Sequence, residues 1–286
     1  MPSLIDIRRR IRSVKNTQQI TRAMKMVSAA KLRRAQDRVI AARPYAHLIR
    51  TMLADVAAAA AGDPEAGANP LLFQRPDERI LLVLLTSDKG LAGAFNSNLI
   101  KGAQRFIADH SGAAVTLELI GRKGRDFFRK RRARISGDHT NLAAKPAYQD
   151  TAAIAQKAME LYRNAEIDAV YLLYNEFKSV VSQKLTLIRV LPVEVPERTA
   201  PVDYIFEQPP SAMLDALLPR YVETQFFHAL LETTAAEHAA RMTAMDSATS
   251  NAEDMIEKLT LHMNRVRQAS ITKEIIEVVS GAAAAG

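Results

Sequence analysis

The sequence predicts an α/β protein in which a long antiparallel two-helix coiled coil, made from the N- and C-termini, carries an inserted Rossmann-like α/β domain. The first observation is where glycine falls: residues 3–61 contain none and one proline, Pro44, residues 220–280 contain neither, and nine of the eleven glycines lie from Gly62 to Gly137. The second is a heptad spacing of apolar residues in both glycine-free stretches. The third is the alternation of short apolar runs with helical patterns between them. Together they bound a helix over 1–61, an α/β domain over 77–192 and a second helix over 209–286, joined by linkers from Gly62 to Pro76 and from Pro192 to Pro210. At about 1.5 Å per residue each helix is a rod of roughly 80–100 Å, which needs a partner helix to cover its apolar stripe.

In the first helix Leu4, Ile7, Ile11 and Val14 follow alternating steps of three and four, and the same register resumes with Leu32, Ala35, Val39, Ala42, Ala46, Ile49, Leu53 and Val56. Between these runs the register positions are polar. Gln18, Thr21, Lys25 and Ser28 occupy the seam, while Ile20, Met24 and Val27 carry an apolar stripe on a shifted face. Two readings are open: a local stutter that adjusts supercoiling, or a segment that leaves its partner helix to meet another surface.

The C-terminal helix has a comparable seam at Met245, Ala248, Ala252, Met255, Leu259, His262, Val266 and Ala269, with Met242, Ile256 and Met263 alongside. Small and flexible side chains suit close helix approach. Glu237 with Arg241 and Asp254 with Lys258 add supporting pairs at i and i+4. Pro209, Pro210 and Ser211 mark the start, Pro219 a kink or restart, and Gly281 the stop.

Between the helices, strands are expected at Ile80 to Thr86, Val115 to Ile120, Ala169 to Tyr174 and Gln183 to Leu191, and helices at Phe95 to His110, Gly124 to Arg132 and Asp150 to Arg163. Short connections between alternating elements imply a mostly parallel sheet. The run Thr86, Ser87, Asp88, Lys89, Gly90, Leu91, Ala92, Gly93 follows a strand and precedes a helix, where α/β proteins bind phosphates. It departs from both phosphate fingerprints, because Ala94 and Phe95 stand where the Walker pattern needs Lys and Ser or Thr, and Asn96 stands at the third glycine of the dinucleotide pattern. A turn that needs glycine geometry is the better explanation. His47, His110, His139, His228, His238 and His262 show no metal-ligand spacing, and no paired carboxylates frame a strand end. The sequence therefore argues against a catalytic, cofactor or metal site within the chain.

Composition narrows the class further. The chain is 48% hydrophobic, enough for a sizeable core, yet has no apolar run long enough to span a bilayer and no apolar core of a secretory signal near Met1. The absence of cysteine excludes disulfides and thiol chemistry and fits a reducing compartment. Of the net charge of +8, residues 1–57 account for more than the whole, with thirteen Lys and Arg against Asp6, Asp37 and Asp55. Such a helix attracts an acidic partner, whether nucleic acid, an anionic membrane or acidic protein loops; a solvated coiled-coil flank is the plainer alternative. A second basic cluster runs from Arg122 to Arg134, interrupted by Phe127 and Phe128, whose spacing fits a core-facing helix stripe better than base stacking. A basic coiled coil that binds nucleic acid or acts as a scaffold is thus an alternative, but residues 1–43 contain no Phe, Tyr or Trp to stack on bases.

Three motifs carry a resemblance. The run Arg267, Gln268, Ala269, Ser270, Ile271, Thr272, Lys273, Glu274, Ile275, Ile276, Glu277, Val278, Val279, Ser280, Gly281, Ala282, Ala283 closely resembles the signature of the gamma subunits of F-type ATP synthases. The N-terminal Ile7 and Arg8, the stretch from Asn16 through Thr17, Gln18, Gln19, Ile20, Thr21, Arg22, Ala23, Met24, Lys25 and Met26 to Val27, and the central run from Ser87 to Asn96 resemble the same family, in the same order along the chain.

The resemblance implies a rotor. In that family the two terminal helices turn inside a ring of three alpha and three beta subunits, and the α/β domain sits on the membrane rotor ring of c subunits with the epsilon subunit as a further partner. Proton flow drives the rotation, and each beta subunit passes in turn through states that bind, form and release ATP. By the same resemblance Met24, Lys25, Arg267, Gln268 and Thr272 meet the stator, and Ile275, Ile276, Val278 and Val279 form an apolar bearing tip. Tyr204, Phe206 and Glu207 resemble the rotor-ring contact. The chain is then non-catalytic, without cofactor or nucleic acid, peripheral to the membrane on the cytoplasmic face of a bacterial inner membrane. It lacks the cysteine-bearing insert of chloroplast members, so thiol control is not expected, and the cluster from Arg122 to Arg134 has no role that the family assigns.

Overall fold

The computed structural model describes residues 3–60, 69–195 and 207–285, and the chain divides into two compact units, one of Met1–Ser28 with Met242–Gly286 and one of Ala29–Arg241. Two long helices contribute to both: α1 (Leu4–Ala59) and α5 (Pro210–Ala285). Ser3 starts α1 with a reciprocal cap, its hydroxyl accepting from the Asp6 amide at 3.2 Å while Asp6 Oδ2 accepts from the Ser3 amide at 3.3 Å. Pro210 opens α5 at the first helical position, where the missing N–H costs nothing. α5 does not restart at Pro219 and does not stop at Gly281; it runs through both. The alanines that follow Gly281 are the strongest helix formers and offset the cost of one glycine, about 1 kcal/mol.

The larger unit is built on a five-stranded sheet of β1 (Arg79–Leu85), β2 (Ala114–Ile120), β3 (Ile135–His139), β4 (Ala169–Phe177) and β5 (Gln183–Leu191). Its order is β3-β2-β1-β4-β5. The first four strands are parallel and β5 returns antiparallel to β4 through a tight turn. Helices α2 (Phe95–Asp109), α3 (Arg122–Lys130) and α4 (Tyr148–Arg163) connect the parallel strands.

β1 is apolar from Ile80 to Leu85 because both sides of it are covered there. Leu81, Val83 and Leu85 face Ile154, Ala158 and Tyr162 of α4 together with Leu53 and Val56 of α1 and Leu218, Val222 and Phe226 of α5. Ile80, Leu82 and Leu84 face Phe95, Leu99 and Phe106 of α2 and Phe128 of α3. Within this unit α5 is buried on almost every side from Val222 to Ala239, so its neighbours must satisfy the polar groups it carries. Glu223 accepts from the Tyr148 hydroxyl at 2.6 Å and from Gln156 at 2.9 Å, and Glu232 accepts from the Phe177 amide at 2.9 Å.

Candidate functional site

The smaller unit is the helix pair. Thr21 Oγ1 lies 2.8 Å from Thr249 Oγ1, and Lys25 Nζ lies 2.5 Å from Asp246 Oδ1. As α1 advances from Thr21 to Lys25 its partner retreats from Thr249 to Asp246, so the helices are antiparallel. The register of α1 runs unbroken through this region: Gln18 and Lys25 are half-buried, and Thr21 and Ser28 are buried, each at a heptad position. The stutter is therefore absent, and the helix does not leave its partner. Its seam stays in place with polar residues in it. Of the displaced apolar residues, Ile20 and Val27 point away, 61% and 55% exposed, whereas Met24 is half-buried beside the seam.

On α5 the seam takes Met245, Thr249, Ala252, Ile256, Leu259, Met263, Val266 and Ser270, all buried or half-buried. Met255, His262 and Ala269, which the spacing placed on the seam, are exposed. The two phases share every second position and differ by one residue at the others, and the antiparallel partner selects between them. Asp254 and Lys258 form no ion pair within 4 Å among the described residues, whereas Glu237 and Arg241 do, at 2.6 Å.

The same register carries Leu4 to about the level of Val266, and from Ile271 to Ser280 every side chain of α5 is exposed. Five of them are apolar: Ile271, Ile275, Ile276, Val278 and Val279, between 48% and 72% exposed. Arg267, Gln268 and Thr272 are exposed just below, and the Thr272 hydroxyl donates to the Gln268 carbonyl at 2.9 Å. Along the outer face of α1, Arg8, Arg9, Arg10, Arg12, Lys15 and Arg22 are all exposed. Of the residues expected at the rotor ring, Glu207 is exposed, and Tyr204 and Phe206 lie outside the described residues.

In the larger unit, the loop from Thr86 to Gly93 engages its own polar groups. The Ser87 amide donates to Asn96 Oδ1 at 3.0 Å, the Ser87 hydroxyl donates to the Lys89 carbonyl at 2.6 Å, and Asp88 accepts from the amides of Arg122 at 3.1 Å and Asn141 at 2.9 Å. The carboxylate of Asp88 thus sits at the start of α3, the place a phosphate would take. Gly121, with φ of 97°, passes so close to Thr86 that a Cβ would lie 2.1 Å from its carbonyl oxygen. Within the motif itself Gly93 has φ of 55°, a left-handed conformation that suits glycine, which supports the turn reading. Arg241, buried on α5, donates to the carbonyls of Lys89 at 3.3 Å and Gly90 at 3.2 Å as well as to Glu237. Burial pushes the Glu237 carboxyl above the usual range, against the pull of Arg241. The spacing predicts Glu237 and Arg241 as a supporting i, i+4 pair, which they form; that they also anchor this loop is set by packing that local spacing does not encode.

The basic cluster divides as its spacing indicates. Phe128 is buried against β1 and β2, and Phe127 carries the Arg131 guanidinium over its ring at 3.7 Å. Arg122, Lys123, Arg129, Lys130 and Arg132 are exposed. No described helix is long and apolar enough to cross a membrane.

Comparison with known proteins agrees with these features. The ATP synthase family model matches residues 3–285. The ATP synthase gamma chain of Solibacter usitatus is 75% identical over 100% of both chains, and that of Anaeromyxobacter sp. strain Fw109-5 is 53% identical over 99% of both. Among solved structures, a chain of the central stalk and c-ring of the Tetrahymena thermophila mitochondrial ATP synthase aligns with a TM-score of 0.60 and 25% identity, over 80% of this chain and 99% of that one. A chain of the Euglena gracilis mitochondrial ATP synthase, at 19% identity and a TM-score of 0.67 over 98% of this chain and 94% of that one, shares the fold. The chain belongs to the family of ATP synthase gamma chains, the central-stalk subunits of the rotor.

Proposed function

We propose that this chain is the turning shaft of a proton-driven rotary ATP synthase, itself without a catalytic site, and that it transmits torque between a membrane rotor ring of c subunits and a ring of three alpha and three beta subunits. One observation carries the reading: the end of α5 presents Ile271, Ile275, Ile276, Val278 and Val279 to solvent in the isolated chain. A contiguous apolar surface of this kind requires a partner, and one without directional bonds suits a bearing that must hold no single angle.

Coupling then rests on differential contact. A shaft whose faces differ interacts unequally with the three beta subunits, so each angle favours a different nucleotide state in each. Met24, Lys25, Arg267, Gln268 and Thr272 are the proposed stator contacts, on the polar-seamed part of α1 and the exposed part of α5. The exposed arginines of α1 give acidic lever loops a complementary surface. Glu207, with Tyr204 and Phe206, is assigned to the rotor ring, and the epsilon subunit is a further partner. The division into helices over 1–61 and 209–286 and a foot over 77–192 belongs to the same proposal, as does a peripheral position on the cytoplasmic face of a bacterial inner membrane.

Native mass spectrometry of the complex that copurifies with this chain, tagged in its sheet-bearing unit, tests the assignment. The expected composition is one copy of this chain with three copies each of two larger nucleotide-binding subunits. A free homodimer or a nucleic-acid complex contradicts it.

A further inference from the structure

A cavity of about 180 Å³ in the larger unit has no part in the torque reading. Lys31, Arg34 and Arg38 of α1, all exposed, line one side, half-buried His238 of α5 lies across from them, and the loop after β3 borders it with Pro146, leaving the pocket open to solvent. No carboxylate is among its lining residues.

Steps of three and four place Lys31, Arg34 and Arg38 on one face of α1. Arg34 and Arg38, four residues apart, repel one another, a cost that a bound counter-charge removes. None of the three forms an ion pair among the described residues. The field of Lys31 reaches Glu237, but that carboxylate is bonded to Arg241 at 2.6 Å. His238 is pushed down to about 4 by burial and by its neighbours Arg241 and Lys31, so at neutral pH it is an uncharged ring. Its Nδ1 faces Arg241 Nη1 at 3.5 Å and accepts there, which leaves Nε2 as the N–H donor. The site therefore offers donors and positive charge with nothing negative to answer them.

Size selects the ligand. At about 30 Å³ per water, the volume corresponds to roughly six waters, and it falls below the roughly 300 Å³ at which pockets for drug-sized molecules begin. A small oxyanion with a few waters fills it, whereas a nucleotide would extend out of it into solvent. The forked guanidinium groups of Arg34 and Arg38 match the oxygens of such an ion in pairs.

We propose that this cavity is an anion site that takes a free phosphate ion, gripped by Arg34 and Arg38, with Lys31 and the His238 ring completing its shell. The site stands apart from the shaft reading and is testable on the full-length chain alone.

Isothermal titration of the full chain with sodium phosphate at constant ionic strength is the experiment, with sodium chloride as the matched control. The expected result is saturable binding of one phosphate per chain, at least tenfold weaker in Arg34→Ala/Arg38→Ala. Arg122→Ala/Arg132→Ala removes the same charge from the exposed cluster on and after α3 and is expected to leave the affinity unchanged. In a parallel NMR titration the His238 ring is expected to protonate at higher pH when phosphate is saturating. Heat that does not saturate, an equal loss in both double variants, or an unmoved His238 titration overturns the proposal. Displacement of phosphate by an equal concentration of ADP overturns the assignment to a free ion.

Discussion

Thr21 and Thr249 face each other across the helix pair with their hydroxyl oxygens 2.8 Å apart, and each is also within bonding distance of a carbonyl of its own helix, Gln18 at 3.0 Å and Met245 at 2.7 Å. Two protons serve three contacts. One hydroxyl donates along its helix and the other donates across the seam.

This pair predicts a specific mutational pattern. Thr21→Val alone removes the bond across the seam and is expected to cost about 1 kcal/mol of stability, because the half-buried Thr249 hydroxyl keeps only its bond to the Met245 carbonyl and faces an apolar group across the seam. The double variant Thr21→Val/Thr249→Val replaces both groups by apolar ones of the same shape and is expected to return to within about 0.5 kcal/mol of the parent. Urea unfolding of the full chain, followed by circular dichroism, measures the cycle; strictly additive losses contradict the pairing.

Lys25 and Asp246 are the neighbouring contact, with side chains 40% and 56% exposed, so the ion pair itself contributes only about 0–1 kcal/mol to stability. Its neighbourhood is where the stator contact is proposed. Met24→Lys sets a second cation beside Lys25 and is expected to lower proton pumping per ATP hydrolysed by the assembled complex without abolishing hydrolysis. An unchanged pumping ratio, measured in inverted vesicles, counts against the role given to this surface.

The apolar end of α5 gives a prediction of a different kind. A chain ending at Ser270 lacks the exposed Ile271, Ile275, Ile276, Val278 and Val279 but keeps the whole paired seam. It is expected to fold as the parent does, and to lower torque or the yield of assembled complex more than it alters nucleotide affinity. Parental torque and yield in that complex remove the bearing argument.

The larger unit carries an acid-sensitive fastening. Asp168, at the entry to β4, accepts from the Arg79 amide at 3.0 Å, from Nε at 2.9 Å and from Nη2 at 2.7 Å. Bonding to Arg79 holds its carboxyl below the usual range despite burial. A carboxyl depressed in the folded state stabilises fully above its unfolded value of about 3.9 and loses that contribution as pH falls through the folded value. Asp168→Asn is therefore expected to be less stable than the parent at pH 7, with the gap closing below pH 4. A gap that stays constant with pH means the carboxylate charge contributes nothing.

Much of the fold is legible because the strong signals are local. β1 reads as a strand from six consecutive apolar residues, Ile80 to Leu85, since both faces are covered, and the bounds of β5 coincide with the expected run. β3 escapes notice because Ile135–His139 is a short edge strand with one apolar side chain, and its pairing comes from β2. The reversed direction of β5 was equally invisible, because an apolar run carries no direction of its own. On α5, Met255 and Ile256, or His262 and Met263, differ by one position, and only the facing α1 chooses between them. The polar break at Gln18 to Ser28 stands out in the sequence. That it is a satisfied seam and not a departure depends on Thr249 and Asp246, far along the chain.

The central claim is that this chain turns relative to the subunits around it. Its most direct test immobilises the assembled complex by its alpha and beta subunits and attaches a polarised fluorescent probe or bead to an exposed position of the sheet-bearing unit, such as Val181 replaced by cysteine. The chain has no native cysteine to compete for the label. Addition of ATP is predicted to drive continuous rotation of the probe in one direction, at a rate that follows hydrolysis. Hydrolysis at the normal rate with a stationary probe contradicts the account.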